Sequence, residues 1–243
     1  LCMQKTAIII PCYKEGDRLK QNSFIEFLQT HPSVHVFFVD DGSPDNTHNI
    51  LSLIQSSLPA QVNIISLQKN EGKANAVRSG LLAVKNKTGY SHIGYLDADL
   101  STDITEFYRL LLLMKDADAD FAFGSRVKLL STNIKRSFFR HITGRALATL
   151  IDLKFKLGIY DTQCGAKWFK HELVDMISHT PFKTTWFFDV EIFVRIKNKL
   201  PLAKGMEIVL NEWKDPGGSK INVLHFPWVV KDIILLMRSY QKP

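Results

Sequence analysis

Cysteine is scarce: Cys2, Cys12 and Cys164 stand far apart and form no CxxC pair. That excludes a disulfide framework and a zinc ribbon, and it fits a reducing compartment. The one i,i+4 histidine pair, His31 and His35, has Pro32 and Ser33 between its members, where a helical metal site does not form. No apolar run reaches the ~18 residues that a bilayer span needs. Leu110 to Met114 is too short, and Phe226 to Met237 is interrupted by Lys231 and Asp232. No signal-peptide pattern opens the chain. Neither GxxxxGK[ST] nor GxGxxG occurs, so a P-loop and a dinucleotide fingerprint are both excluded. Internal repeats and low-complexity stretches are missing too, and 45% apolar against 23% charged residues leaves no room for a disordered reading.

Acidic residues are sparse in one stretch. Residues 126–170 carry ten Lys/Arg against only Asp152 and Asp161, a local +8 within a chain whose net charge is +7. The basic character therefore belongs to this segment, which suits phosphorylated ligands, an anionic membrane surface or nucleic acid, or is simply a solvated face.

What is present reads as one α/β domain. Short apolar or β-branched runs at Ala7 to Ile10, Val34 to Val39, Val62 to Leu67, Ile93 to Leu96 and Phe121 to Phe123 predict buried strands. Leu19 to Leu28, Asp45 to Leu58, Lys73 to Val84 and Thr105 to Met114 have helical spacing between them. Such alternation predicts a mostly parallel central sheet with helices on both faces and ligands beyond the carboxyl ends of the strands. After residue 126 the alternation is lost. A helix over about Lys135 to Leu157, another at Trp186 to Ile196, a strand at Met206 to Glu212, a loop at Asp215 to Lys220 and a final amphipathic helix at Pro227 to Tyr240 are expected there.

A polar cluster follows each of the first five strands: Pro11-Cys12-Tyr13-Lys14-Glu15, Asp40-Asp41-Gly42-Ser43, Lys69-Asn70-Glu71-Gly72-Lys73, Asp97-Ala98-Asp99-Leu100-Ser101 and Gly124-Ser125-Arg126. Two aspartates at i and i+2 leaving a buried strand offer hard oxygen ligands to Mg²⁺ or Mn²⁺. A cation there would neutralise a leaving diphosphate. Taken alone, such a tripeptide is more often a turn or a helix cap. Asp40, Asp41 and Glu15 are acceptors suited to a base N–H or ribose hydroxyls, although Asp41 and Ser43 also fit a capping turn.

Together with Phe188-Asp189-Val190-Glu191, these clusters resemble the inverting family 2 glycosyltransferases of GT-A fold. Arg136-Ser137-Phe138-Phe139-Arg140, Asp161 to Lys167, Trp186 to Glu191 and Asn211-Glu212-Trp213 are similar, more narrowly, to the dolichyl-phosphate and polyprenyl-phosphate glucosyltransferases. The resemblance implies a single GT-A-like domain over 1–243, with 1–125 as the nucleotide-sugar half and 126–243 as the acceptor half. It implies a UDP-sugar donor, UDP-glucose above all, bound by Pro11, Tyr13, Glu15, Asp40, Asp41, Asn70, Lys73, Asp97, Ala98 and Asp99. Asp97 and Asp99 would hold a divalent Mg or Mn, and Arg126, Arg136, Arg140 and Lys167 would face the diphosphate or an acceptor phosphate.

For the catalytic base the resemblance offers Asp189, with Asp161 as an alternative. A sugar hydroxyl needs such a base, whereas a phosphate monoester is already largely dianionic at neutral pH, so with a lipid-phosphate acceptor neither Asp has to serve. Two rival readings remain: transfer to a sugar hydroxyl, and a non-catalytic module binding anionic lipid or a polyanion. The acidic cluster speaks against nucleic acid as partner. The expected location is cytoplasmic, with the C-terminal helix (Phe226, Pro227, Trp228, Ile233, Ile234) either packed in the core or in peripheral contact with the membrane.

Overall fold

The computed structural model describes residues 4–130, 132–135, 138–214 and 226–240; within them, the side chains of 135, 138–146 and 226–228 are outside the description. Eight helices and nine strands are found among the described residues. The first half runs β1 (Lys5–Cys12), α1 (Gln21–Thr30), β2 (Val34–Asp40), α2 (Thr47–Ser57), β3 (Val62–Ser66), α3 (Lys73–Lys85), β4 (Tyr90–Leu96), α4 (Ile104–Asp116) and β5 (Phe121–Ser125). The second runs β6 (Asn133–Lys135), α5 (Phe138–Phe155), β7 (Ala166–Lys170), α6 (His171–Ser178), α7 (Phe188–Lys199), β8 (Gly205–Val209), β9 (Glu212–Lys214) and α8 (Phe226–Ser239).

The main sheet has seven strands in the order β3-β2-β1-β4-β7-β5-β8, and only β7 is antiparallel to its neighbours. β6 and β9 form a separate parallel pair. Alternate residues of the central strands face opposite ways, as strand geometry requires. Ile8, Ile10, Val36 and Phe38 pack with α1, α2 and α4 on one face. Ala7, Ile9, Phe37 and Val39 pack with α3, α6 and α7 on the other. A third cluster joins Ile151 and Phe155 of α5, Val190 and Val194 of α7, and Val229 and Leu236 of α8.

Sequence and structure part company after residue 126. The alternation does not end there, because Ala166–Lys170 supplies β7 and His171–Ser178 a helix, neither of which the spacing announces. The expected strand over Met206 to Glu212 is instead two strands in different sheets, split at Leu210 and Asn211. The helix expected from Trp186 begins at Phe188, because the backbone N–H of Trp186 is held by Asp232 of α8 at 2.6 Å. Since β7 lies between β4 and β5, residues 1–125 and 126–243 share one sheet. The Asp215 to Lys220 loop lies outside the described residues.

Candidate active site

The parallel strands β1, β2 and β4 end side by side, with Cys12 in register with Asp40 and Ile9 with Tyr95. Their polar extensions therefore meet at one rim. Asp41 accepts hydrogen bonds from the backbone N–H groups of Glu71 and Gly72, both at 2.8 Å. These are donors at the start of α3, which has no capping side chain of its own. Gly42, at φ +62°, lies so close to the next loop that a Cβ would be 2.6 Å from the Lys69 carbonyl carbon. Only glycine lets the two loops nest. Asp40 accepts from the Ser43 N–H at 3.0 Å and faces His48 Nδ1 at 3.3 Å.

Glu15 is buried and holds Arg18 in a two-point contact at 2.5 and 2.6 Å. Its backbone N–H donates to Thr47 Oγ1 at 2.9 Å. Burial, and then the charges of Glu15 and Asp40, push the Cys12 thiol well above its ordinary pKa. Burial likewise raises the Asp41 carboxyl, against the lowering effect of its two N–H donors. Pro11 is part-buried opposite Val39, Tyr13 carries the Lys14 ammonium 5.4 Å above its ring, and Asn70 is exposed.

Beyond β4 the chain turns through Asp97, Ala98 and Asp99. The Asp97 N–H donates to the Gly165 carbonyl at 3.0 Å, tying this turn to the segment that leads into β7. Lys73 Nζ, from the first residue of α3, lies 2.5 Å from Asp97 Oδ1. That oxygen is buried, and the Lys73 ammonium is the charge it faces. Asp99 accepts from the Ser101 N–H and hydroxyl at 2.9 and 2.7 Å. Leu100 between them has φ +49°, a left-handed conformation that costs a branched residue about 1–2 kcal/mol.

On the far side of Asp97, Arg126 forms a fork with Asp161 at 2.7 and 2.8 Å, and its own N–H reaches the same carboxylate at 3.0 Å. The guanidinium sits 5.4 Å from the Trp213 ring. Burial works against the Arg126 charge, but Asp161, and at longer range Asp97, hold its pKa above the usual value. Glu207 of β8 fixes Asp161 from behind by accepting from the Tyr160 and Asp161 N–H groups, each at 2.8 Å, and from the Ser125 hydroxyl at 2.6 Å.

Asp189 stands in the first turn of α7 and is buried. Its Oδ1 accepts from Lys167 Nζ at 2.5 Å and from the Tyr95 hydroxyl. Lys167 is fully buried, and its ammonium also donates to the Cys164 carbonyl at 2.6 Å. Burial pushes the Cys164 thiol up to about 12, with Arg126 and Lys167 pulling the other way. Glu191, two residues further along α7, is taken by Arg195 at 2.7 Å and by the Lys183 and Thr184 N–H groups.

The structure thus gathers Glu15, Asp40, Asp41, Lys73, Asp97, Asp99, Arg126, Asp161 and Asp189 at one edge of the sheet. Lys167 is turned inward beneath them and presents no surface to a ligand. Arg136 lies outside the described residues, and so does the side chain of Arg140. Gly165, Tyr95 and Glu207 are the residues that sequence reasoning passed over. Only Gly165 had a signal, its place in the Cys164-Gly165-Ala166 turn.

Among the described residues no group of three His, Cys, Asp or Glu side chains gathers as a metal cage. The donor set still fits Mg²⁺ or Mn²⁺. Two carboxylates two residues apart at the end of a strand, one of them facing a lysine ammonium rather than a fixed backbone donor, are what such an ion takes from protein when phosphates and water complete its shell. Asp97 and Asp99 would hold it.

The comparisons with known proteins decide the family. Residues 7–177 match the model of glycosyl transferase family 2. The chain belongs to that family. It is 30% identical over 250 residues to dolichyl-phosphate beta-glucosyltransferase of Dictyostelium discoideum, covering 96% of this chain and 74% of that protein. Against the human dolichyl-phosphate beta-glucosyltransferase it is 29% identical, covering 98% and 76%. A solved structure of glucosyl-3-phosphoglycerate synthase from Mycobacterium tuberculosis, in complex with Mn²⁺ and UDP-glucose, superposes with a TM-score of 0.72 at 16% identity, covering 99% of this chain and 80% of that one. A likeness that distant establishes the fold, and this family 2 glycosyltransferase shares it.

Proposed function

We propose that the protein transfers glucose, with inversion, from UDP-glucose to dolichyl phosphate or another polyprenyl phosphate, using a divalent metal. The observation that carries this reading is the near-full-length similarity to dolichyl-phosphate beta-glucosyltransferases, which spans both the Asp97/Asp99 rim and the Arg126 side of the site. The Mn²⁺ and UDP-glucose named with the M. tuberculosis structure support the donor and the metal.

Residues 1–125 would hold the donor, with Asp40, Asp41 and Glu15 on the nucleoside side and Lys73 on the diphosphate side. Residues 126–243 would receive the acceptor, with Arg126 among its phosphate contacts. A bound Mg²⁺ or Mn²⁺ supplies electrostatic stabilisation of the departing diphosphate. The acceptor phosphate oxygen attacks the anomeric carbon from the face opposite UDP, the glycosidic C–O bond breaks, and its electron pair leaves on the diphosphate. A phosphate dianion carries no proton to remove. That agrees with the two base candidates: Asp161 is engaged by Arg126 and Asp189 by Lys167 and Tyr95. Asp189 would then act as a counterion.

No helix among the described residues is long and apolar enough to cross a membrane. The outer faces of α5 and α8 nevertheless leave Leu150, Leu153, Val230, Ile234 and Leu235 exposed, with Leu153 69% so. The two helices adjoin, since Lys154 Nζ donates to the Met237 carbonyl at 2.7 Å. Together they form the surface we assign to peripheral contact with the membrane that carries the acceptor.

The deciding assay is transfer of labelled glucose from UDP-glucose to a short-chain polyprenyl phosphate, with and without Mn²⁺, with Asp99→Asn as control. Metal-dependent product absent from the variant is the expected result. Donor hydrolysis without lipid product would move the acceptor to a sugar hydroxyl.

A further inference from the structure

We propose that Lys73 and the divalent cation compete for Asp97, and that the donor's diphosphate ends the competition by taking the Lys73 ammonium onto a phosphate oxygen. The inference rests on the metal-dependent UDP-sugar reading above and adds to it an ordered dependence between metal and nucleotide.

Lys73 is a poor choice for its position in α3. It is the first residue of the helix, where the exposed N–H groups favour anions and disfavour a cation. What it faces accounts for it. Its ammonium lies 2.5 Å from Asp97 Oδ1 and 5.7 Å from the Phe188 ring at the start of α7. The side chain is 39% exposed, so the ammonium sits between the buried carboxylate oxygen and open space. A divalent ion on the same carboxylate oxygen would sit within a few ångströms of that ammonium, and like charges at such a separation repel strongly in a partly buried site. The two cations therefore exclude each other on Asp97.

Lys73 then needs another anion. Asp189 is not open to it, because the fully buried Lys167 already neutralises that carboxylate and Tyr95 donates to the same oxygen. The diphosphate is the remaining partner, and the Lys73 side chain is 39% exposed on a flexible four-carbon stem that is free to swing off Asp97. Metal alone binds against the Lys73 charge; metal with UDP does not. Because binding couplings are reciprocal, the metal tightens UDP by the same factor by which UDP tightens the metal.

The test is direct Mn²⁺ binding to the full chain, by electron paramagnetic resonance of the free ion, with and without UDP, so that no turnover is involved. Without UDP, Lys73→Met should bind Mn²⁺ about tenfold more tightly than wild type, and UDP should raise that affinity by a smaller factor than in wild type. Lys73→Arg, which keeps the charge, should stay within about threefold of wild type without UDP. Should Lys73→Met fail to fold, Lys73→Gln carries the same expectation. If wild type binds Mn²⁺ with UDP but the neutral variants gain nothing without it, the competition is overturned and the glycosyltransferase reading stands. If wild type binds no Mn²⁺ even with UDP, the metal-dependent reading falls and this inference falls with it.

Discussion

Gly165 lies against the carboxylate of Asp97 so closely that a Cβ on residue 165 would be 2.1 Å from Asp97 Oδ2. The same glycine's carbonyl accepts the Asp97 N–H at 3.0 Å. One small residue thus fixes both the backbone and the side chain of the first aspartate of the pair.

Gly165→Ala should therefore leave the fold nearly intact, because the atoms it strikes belong to a side chain that can rotate. It should still move the carboxylate by ångström-scale distances and lower kcat/KM for the donor by about 10²-fold. Thermal unfolding and donor kinetics on the same preparation check both halves. Unchanged kinetics would mean that the position of Asp97 is not critical.

Asp189→Asn separates two roles. The substitution leaves the Lys167 ammonium buried without its counterion, which should cost about 3–5 kcal/mol of stability. With a phosphate acceptor, turnover by the folded fraction should fall by less than about tenfold, whereas loss of a true general base costs about 10²–10⁴-fold. Denaturant unfolding alongside kcat corrected for folded fraction distinguishes the outcomes.

His92 of β4 predicts an acid-sensitive fold. Burial, with Lys115 and Lys170 adding to it, lowers its pKa from 6.5 to about 4. Between those values the unfolded chain binds a proton that the native protein refuses, so stability is full above about pH 6.5 and is lost as pH falls toward 4. The unfolding midpoint should drop across that window. His92→Gln should make the drop shallower, and a variant with an unaltered slope would assign the acid sensitivity to other groups.

Leu153→Glu with Ile234→Glu should weaken co-sedimentation with vesicles containing anionic lipid and leave hydrolysis of UDP-glucose unchanged, since both residues lie on outward faces of α5 and α8. Equal sedimentation of variant and wild type would place the membrane contact elsewhere.

The first five strands were readable because each is an apolar run bounded by polar residues, and the parallel order followed from the helices between them. β7 was hidden by its letters. Lys167 and Lys170 make Ala166–Lys170 look like a surface segment, yet the Lys167 stem runs through the core and its charge is met by Asp189, 22 residues later in the chain. Which carboxylates gather at the rim was legible from where they follow strands. How each is held was not, because Asp161 depends on Glu207, Asp41 on the loop at Glu71, and Asp97 on Gly165, all contacts between distant parts of the chain. Local spacing carries no signal of such pairs.

The late arrival of β7 also governs how the molecule can be made. β4 and β5 are separated in the finished sheet by a strand that ends at Lys170, so a nascent chain stopped at residue 125 has two central edges with no partner between them. Unpaired central edges are sticky, and long-range strand pairing is slow. On the ribosome, the half that holds Asp97 and Asp99 has to wait some forty-five residues for its middle strand, and during that interval its unpaired edges are open to wrong partners.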